Sequence, residues 1–205
     1  IFGGNSGIGE KISEIAKSYG ANVFTFSRSS TGTDIGDKQS VKNALANVYE
    51  KTQQIDYVVN CAAILARQPL IHMDEELITE MIRTNYDGLV NIAVESYNYL
   101  KESKGHLLLY TSSSYTRGRA FYSIYSSTKA AVVNFMQALA SEWDSSNIRI
   151  NVMNPERTKT PLRIKNFGIE AENTLLTTDV VALASLKTLL SDFTGQVIDV
   201  KLRKE

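Results

Sequence analysis

Gly3-Gly4-Asn5-Ser6-Gly7-Ile8-Gly9 follows the apolar pair Ile1-Phe2 and runs directly into Ile12, Ile15, Ala16 and Tyr19 at helical spacing, with Gly20 as a stop. A strand end, a glycine turn and a helix start fall within ten residues or so. Glycines at Gly3, Gly7 and Gly9 permit a tight turn and let backbone N–H groups approach a pyrophosphate at the helix N-terminus. Glycines alone would also suit an ordinary turn; the strand–turn–helix order is what points to a dinucleotide site.

Outward from that stretch, strands and helices alternate. Val23-Phe24-Thr25-Phe26 reads as a strand ending at Ser27-Arg28, and Asp34-Ile35 as a short strand end able to touch an adenine. A polar helix is expected from about Lys38 to Lys51. Ile55 to Val59 is a buried strand ending in Asn60-Cys61-Ala62-Ala63, where small residues let a cofactor lie against the backbone. A helix over about Asp74–Leu100 carries Asn85 in its middle. Leu107-Leu108-Leu109-Tyr110 is a strand running into Thr111-Ser112-Ser113-Ser114, and Ile148 to Met153 is another. Asn154 to Pro161 reads as an ordered loop. A helix over Asp179–Leu190, the turn Thr194-Gly195-Gln196 and a closing strand Val197–Val200 complete the chain. This alternation predicts a single α/β domain over residues 1–205, a Rossmann-type doubly wound parallel sheet with helices on both faces.

The chemistry centres on Tyr125-Ser126-Ser127-Thr128-Lys129, at the start of a helix that runs on to Trp143. Four residues apart, Tyr125 and Lys129 share one helix face. The ammonium is expected to lower the phenol pKa from roughly 10 and so tune a proton donor. Tyr97 and Lys101 share the spacing, but lie late in a helix with no strand-end hydroxyls beside them. At the end of the Leu107 strand, Ser112 and its neighbours face the carboxyl edge of the sheet, where open α/β sheets bind ligands.

Composition narrows the classes. With 205 residues, 22 Lys plus Arg against 22 Asp plus Glu, the formal net charge is zero, against a nucleic-acid protein. A single cysteine, Cys61, excludes an internal disulfide and fits a reducing compartment; cytoplasmic placement is expected. No apolar run approaches the roughly 20 residues that span a bilayer. His72 and His106 lack metal-ligand spacing, so no metal is expected. A full strand is expected before the glycines, and the start at Ile1-Phe2 predicts a piece of a longer polypeptide. At Ser27-Arg28 an acidic ribose ligand is missing, and Arg28 can pair with a phosphate, which favours NADP over NAD. Arg117, Arg119, Arg157, Lys159, Arg163 and Lys165 gather in two loops at the same sheet edge, as a small anionic substrate would require.

Taken together, Gly3-x-x-x-Gly7-Ile8-Gly9, Asn60-Cys61-Ala62-Ala63, Asn85, a serine ahead of Tyr125-x-x-x-Lys129, and Thr194-Gly195-Gln196 resemble the short-chain dehydrogenase/reductases over nearly the whole chain. The resemblance implies Tyr125 as the acid, Lys129 on the nicotinamide ribose, Ser112 on the carbonyl oxygen with Ser113 as the alternative, and Asn85 as anchor of a proton-relay water. It implies a cofactor site of Gly3, Asn5, Ser6, Gly7, Ile8, Gly9, Ser27, Arg28, Asp34, Asn60, Ala62, Ala63, Tyr125, Lys129, Pro155, Thr158 and Thr160, and places Ser114 with Arg117, Arg119, Arg157 and Arg163 on the substrate. Ala63 and Glu156 stand where the family usually has glycine. The runs Ser112–Tyr122 and Asn154–Pro161 are similar, more narrowly, to the reductase domain of bifunctional cytidylyltransferase/short-chain dehydrogenase proteins of the ribulose 5-phosphate reductase/CDP-ribitol pyrophosphorylase type. That implies reduction of a sugar phosphate, a fused N-terminal cytidylyltransferase, surface-polymer synthesis and a homodimer or homotetramer. A reductase of another substrate and a non-catalytic scaffold are the alternatives.

Overall fold

The computed structural model describes residues 1–202. Four strands, β1 (Tyr57–Val59), β2 (His106–Tyr110), β3 (Arg149–Pro155) and β4 (Val197–Val200), pair in that order, all parallel. Phe2 extends the sheet beyond β1: it bridges Asn60 on one side and Phe26 on the other. The chain thus leaves the Ile1–Phe2 segment toward Phe26, then returns across it to β1. That reversal is the topological switch point, and the glycine turn sits directly above it.

Eight α-helices form among the described residues: α1 (Gly7–Ser18), α2 (Arg28–Thr31), α3 (Lys38–Thr52), α4 (Glu75–Ile82), α5 (Gly88–Ser103), α6 (Ser123–Glu142), α7 (Pro161–Phe167) and α8 (Thr178–Leu189). Side chains of a strand alternate between faces. In β2, Leu107 and Leu109 enter the core that holds Val41 of α3, Ile92 of α5 and Met136 of α6. Leu108 and Tyr110 enter the opposite core with Ile12 of α1 and Val181 of α8. Both faces are therefore buried, which is why β2 is apolar from Leu107 to Tyr110.

Caps fix several helix starts. Asp37 accepts from the Gln39 amide at 2.9 Å, and Thr160 accepts from the Arg163 amide at 3.1 Å with Pro161 opening α7. The closing strand and the α8 region lie where the pattern placed them. Four expectations change. Val23–Phe26 forms a single bridge, at Phe26, and three backbone bonds join it to Ile1–Gly3. Asp34-Ile35 is a turn: the Asp34 carboxylate accepts from the Gly36 amide at 2.9 Å, and a self-bonded aspartate competes with strand pairing. The expected helix through Leu100 is broken into α4, a π-turn at Arg83–Asp87, and α5. β3 runs on to Pro155, and α7 begins at Pro161, so the intervening loop is shorter than expected.

Candidate active site

A cavity of about 600 Å³ opens at the carboxyl edge of the sheet, over the switch point. Its floor is the glycine turn. Gly3 has φ +73°, and a Cβ there would lie 2.6 Å from the Ala62 amide nitrogen. A Cβ on Gly9 would lie 2.3 Å from the Gly3 carbonyl oxygen, so α1 can approach the turn only without a side chain. Gly7, Ile8 and Gly9 line the cavity, and Ser6 provides no side-chain cap for their amides. Uncapped first-turn amides on a bare backbone cradle fit the pyrophosphate of a dinucleotide.

The remaining residues expected on the cofactor fall along the same wall. Asn5, Ser6, Ser27, Arg28, Asp34, Ala62, Ala63, Pro155, Thr158 and Thr160 line the cavity with Tyr125 and Lys129. Asn60 does not; its Oδ1 instead accepts from the Ala62 amide at 3.1 Å and shapes the turn beneath. Asn5 Nδ2 donates to Ser29 Oγ at 2.8 Å, joining the glycine turn to α2. Arg28 pairs with Glu80 of α4, a partner invisible in the local sequence. Glu156 sends its carboxylate to the Leu202 amide at 2.9 Å.

At the far end, α6 presents Tyr125 and Lys129 together. Lys129 is buried; its Nζ donates to the Tyr110 carbonyl oxygen at 2.9 Å and stands 5.6 Å from the centre of the Tyr125 ring. Thr111 Oγ1 donates to the Lys129 carbonyl at 2.7 Å and pins the helix to the end of β2. Burial lowers the Lys129 pKa to about 8. Burial also pushes Tyr125 up to about 12, against a hydrogen bond from Ser112 and the charge of Arg163, which pull it down. The expected depression by Lys129 is therefore not found: desolvation dominates. At neutral pH the phenol holds its proton, the form a proton donor needs.

Ser112 and Ser113 both line the cavity, and Ser112 is the one whose hydroxyl lowers the Tyr125 pKa. The Ser112 Oγ receives the amide and the hydroxyl of Ser114, each at 3.3 Å. Ser114 is itself buried and does not line the cavity, so its expected place on the substrate is not where the structure puts it: the hydroxyl turns toward Ser112. Arg117 and Arg119 also stand outside the lining, exposed in the loop before α6. Arg157 and Arg163 do line it. The Arg163 guanidinium makes a fork to Glu170, at 2.6 and 2.9 Å, and lies 3.7 Å from the centre of the Phe167 ring.

Asn85 sits in the π-turn, buried, with no edge on the cavity. Its amide closes a two-way bond with the Ile64 backbone, at 2.8 Å to the N–H and 2.9 Å to the carbonyl, and Nδ2 also reaches Thr128 Oγ1 at 3.2 Å. One side chain thus ties the loop after β1 to the turn of α6 between Tyr125 and Lys129. Sequence reasoning missed three supports: the Tyr110 carbonyl, Thr111 and Thr128. The first offers no side-chain signal; the other two are strand-end and helix hydroxyls whose partners only the fold selects. Cys61 lines the cavity, but burial pushes its thiol up to about 12, so it packs rather than reacts.

A family model described as short chain dehydrogenase matches residues 29–168. The bifunctional ribulose 5-phosphate reductase/CDP-ribitol pyrophosphorylase Bcs1 of Haemophilus influenzae is 51% identical over 205 residues, covering 100% of this chain and 43% of that protein. The chain thus spans less than half the length of that relative. Two solved structures share the fold: 3-ketoacyl-(acyl-carrier-protein) reductase from Brucella melitensis complexed with NADH, with a TM-score of 0.90 at 24% identity over 97% of this chain and 94% of that one; and a short chain dehydrogenase from Burkholderia cenocepacia in complex with NADP, with a TM-score of 0.89 at 21% identity over 98% and 94%. The chain belongs to the short chain dehydrogenase family.

Proposed function

We propose that this chain reduces the ketone of a pentulose phosphate, D-ribulose 5-phosphate to D-ribitol 5-phosphate, with NADPH. The observation that carries the reading is identity of 51% over the whole chain to a ribulose 5-phosphate reductase, joined to a cavity where Tyr125, Ser112 and Lys129 meet Arg157 and Arg163.

Gly3, Gly7, Ile8 and Gly9 would hold the pyrophosphate, Lys129 and Thr160 the nicotinamide end. When bound, the nicotinamide supplies the hydride that the carbonyl carbon accepts. The protein's part is to bind and polarise the carbonyl and to move the proton. Ser112 hydrogen-bonds the carbonyl oxygen, its hydroxyl held in place by Ser114. Tyr125, protonated at neutral pH, delivers its proton to that oxygen as charge develops there. Lys129 stabilises the phenolate left behind. Arg163, braced by Phe167 and Glu170, presents a guanidinium near Tyr125 and takes the phosphate end, with Arg157 beside it.

The reduced pentitol phosphate would serve a cytidylyltransferase domain for surface-polymer synthesis, with the reductase acting in the cytoplasm as a homodimer or homotetramer. A free, unreactive Cys61 suits a reducing compartment, and no described helix is long and apolar enough to cross a membrane. The reading is tested by following NADPH consumption with D-ribulose 5-phosphate for the wild type and Tyr125→Phe. Turnover that the variant loses supports it. NADPH binding without turnover of the sugar phosphate overturns the substrate.

A further inference from the structure

We propose that Glu80 of α4 sets the choice between phosphorylated and unphosphorylated adenine riboses, acting as a carboxylate already seated on the arginine that a 2′-phosphate would need. The inference rests on the dinucleotide reading above and adds a specificity residue to it.

Four charges alternate at the Arg28 end of the cavity, of which Arg28 and Asp34 line it and Glu80 and Arg83 do not. Arg28 pairs with Glu80 through Oε1. The other carboxylate oxygen of Glu80 accepts from Arg83 Nε at 3.1 Å. Arg83 Nη2 continues to Asp34 Oδ2 at 2.5 Å, and Asp34 is anchored by the Gly36 amide. Arg83 lies across Gly36, where a Cβ would be 2.7 Å from its guanidinium nitrogen. Burial works against the Asp34 carboxylate, but its bonds from Arg83 and Gly36 outweigh that and keep it ionised.

Two cations and two anions sum to zero at the position where a dianionic phosphate would arrive. The outer pair is the loose one, with Arg28 52% and Glu80 29% exposed, and exposed pairs exchange partners at little cost. A phosphate can therefore draw Arg28 from Glu80. It then lies close to the carboxylate it displaced, and like charges at short range oppose binding. An unphosphorylated ribose disturbs none of this. Glu80 thus narrows the preference for NADPH that Arg28 alone would give.

The test is calorimetric titration of 2′,5′-ADP and 5′-AMP, fragments that differ at this site alone, against wild type, Glu80→Gln and Arg83→Gln. Glu80→Gln keeps the shape and removes the charge; 2′,5′-ADP should bind about tenfold tighter with 5′-AMP unchanged. Arg83→Gln removes a cation and leaves Glu80 to Arg28 alone; 2′,5′-ADP should bind several-fold more weakly, again with 5′-AMP unchanged. A merely structural role would move both ligands in the same direction. Glu80→Gln that leaves the ratio of the two affinities unaltered, or lowers it, overturns the proposal. If that variant does not fold, an Arg83→Gln ratio equal to wild type does so. Wild-type protein that binds the two fragments equally speaks against NADPH as the cofactor, and leaves the Glu80 comparison to be read separately.

Discussion

The ammonium of Lys129 is held 2.9 Å from the carbonyl oxygen of Tyr110, one turn of α6 away from the phenol it serves. A β-strand end, not the tyrosine, sets where this buried charge sits. Burial brings its pKa down from 10.5 to about 8. The folded state therefore gives up a proton that the unfolded state keeps between those values, and stability rises as pH climbs from about 8 to 10.5, by about 3 kcal/mol from this group. Lys129→Met should flatten that rise in thermal melts taken across the range. It should also cut reduction at least about a hundredfold. In the wild type, reduction should decline above about pH 8 as the ammonium is lost.

Asn85 gives a second prediction. Asn85→Ala leaves the Ile64 N–H and carbonyl without their partner in the π-turn. Unpaired buried polar groups cost about 1–3 kcal/mol each; Ile64 is half-buried, so denaturant unfolding should show a loss of about 1–3 kcal/mol for the two together. Because the same amide steadies Thr128, between Tyr125 and Lys129, turnover should fall in whatever fraction remains folded.

His106 predicts the acid limit. It is fully buried between Asn151, whose Nδ2 is 2.8 Å from its Nε2, and the Leu189 carbonyl; burial first, and the charge of Arg149 second, lower its pKa from 6.5 to about 4. The unfolded chain binds a proton there before the folded one does. Stability from this group is complete above pH 6.5 and falls by about 3 kcal/mol as pH drops to about 4. His106→Gln should show a shallower loss of melting temperature over that interval.

Gly9→Ala should abolish dinucleotide binding. Its Cβ would sit 2.3 Å from the Gly3 carbonyl, and backbone rather than a flexible side chain must shift. A titration of NADPH fluorescence should show no saturation, with thermal stability lowered as α1 is forced off the turn.

Legibility followed the range of the interactions. The glycine turn was readable because left-handed backbone and close approach leave a local mark, as at Gly3 with φ +73°. Tyr125 and Lys129 were readable because four residues is one helix turn. The site's finer wiring was not. Arg28 meets Glu80 across 52 residues, and Arg83 meets Asp34 across 49. The π-turn depends on Asn85 finding the Ile64 backbone, which no periodicity encodes. The basic residues looked alike in sequence, yet Arg163 lines the cavity from helix α7, where a loop was expected, while Arg117 and Arg119 stay exposed in the loop before α6. The charge of one neighbour predicts a lowered tyrosine pKa, whereas burial decides it.

The central claim is tested most directly by comparing kcat/KM for D-ribulose 5-phosphate and unphosphorylated D-ribulose with NADPH, in the wild type and in Arg163→Ala. The account predicts that the wild type favours the phosphorylated ketone by about a hundredfold or more, and that Arg163→Ala loses most of that preference while still binding NADPH. Equal rates on the two sugars, or a preference that survives the loss of Arg163, would contradict it.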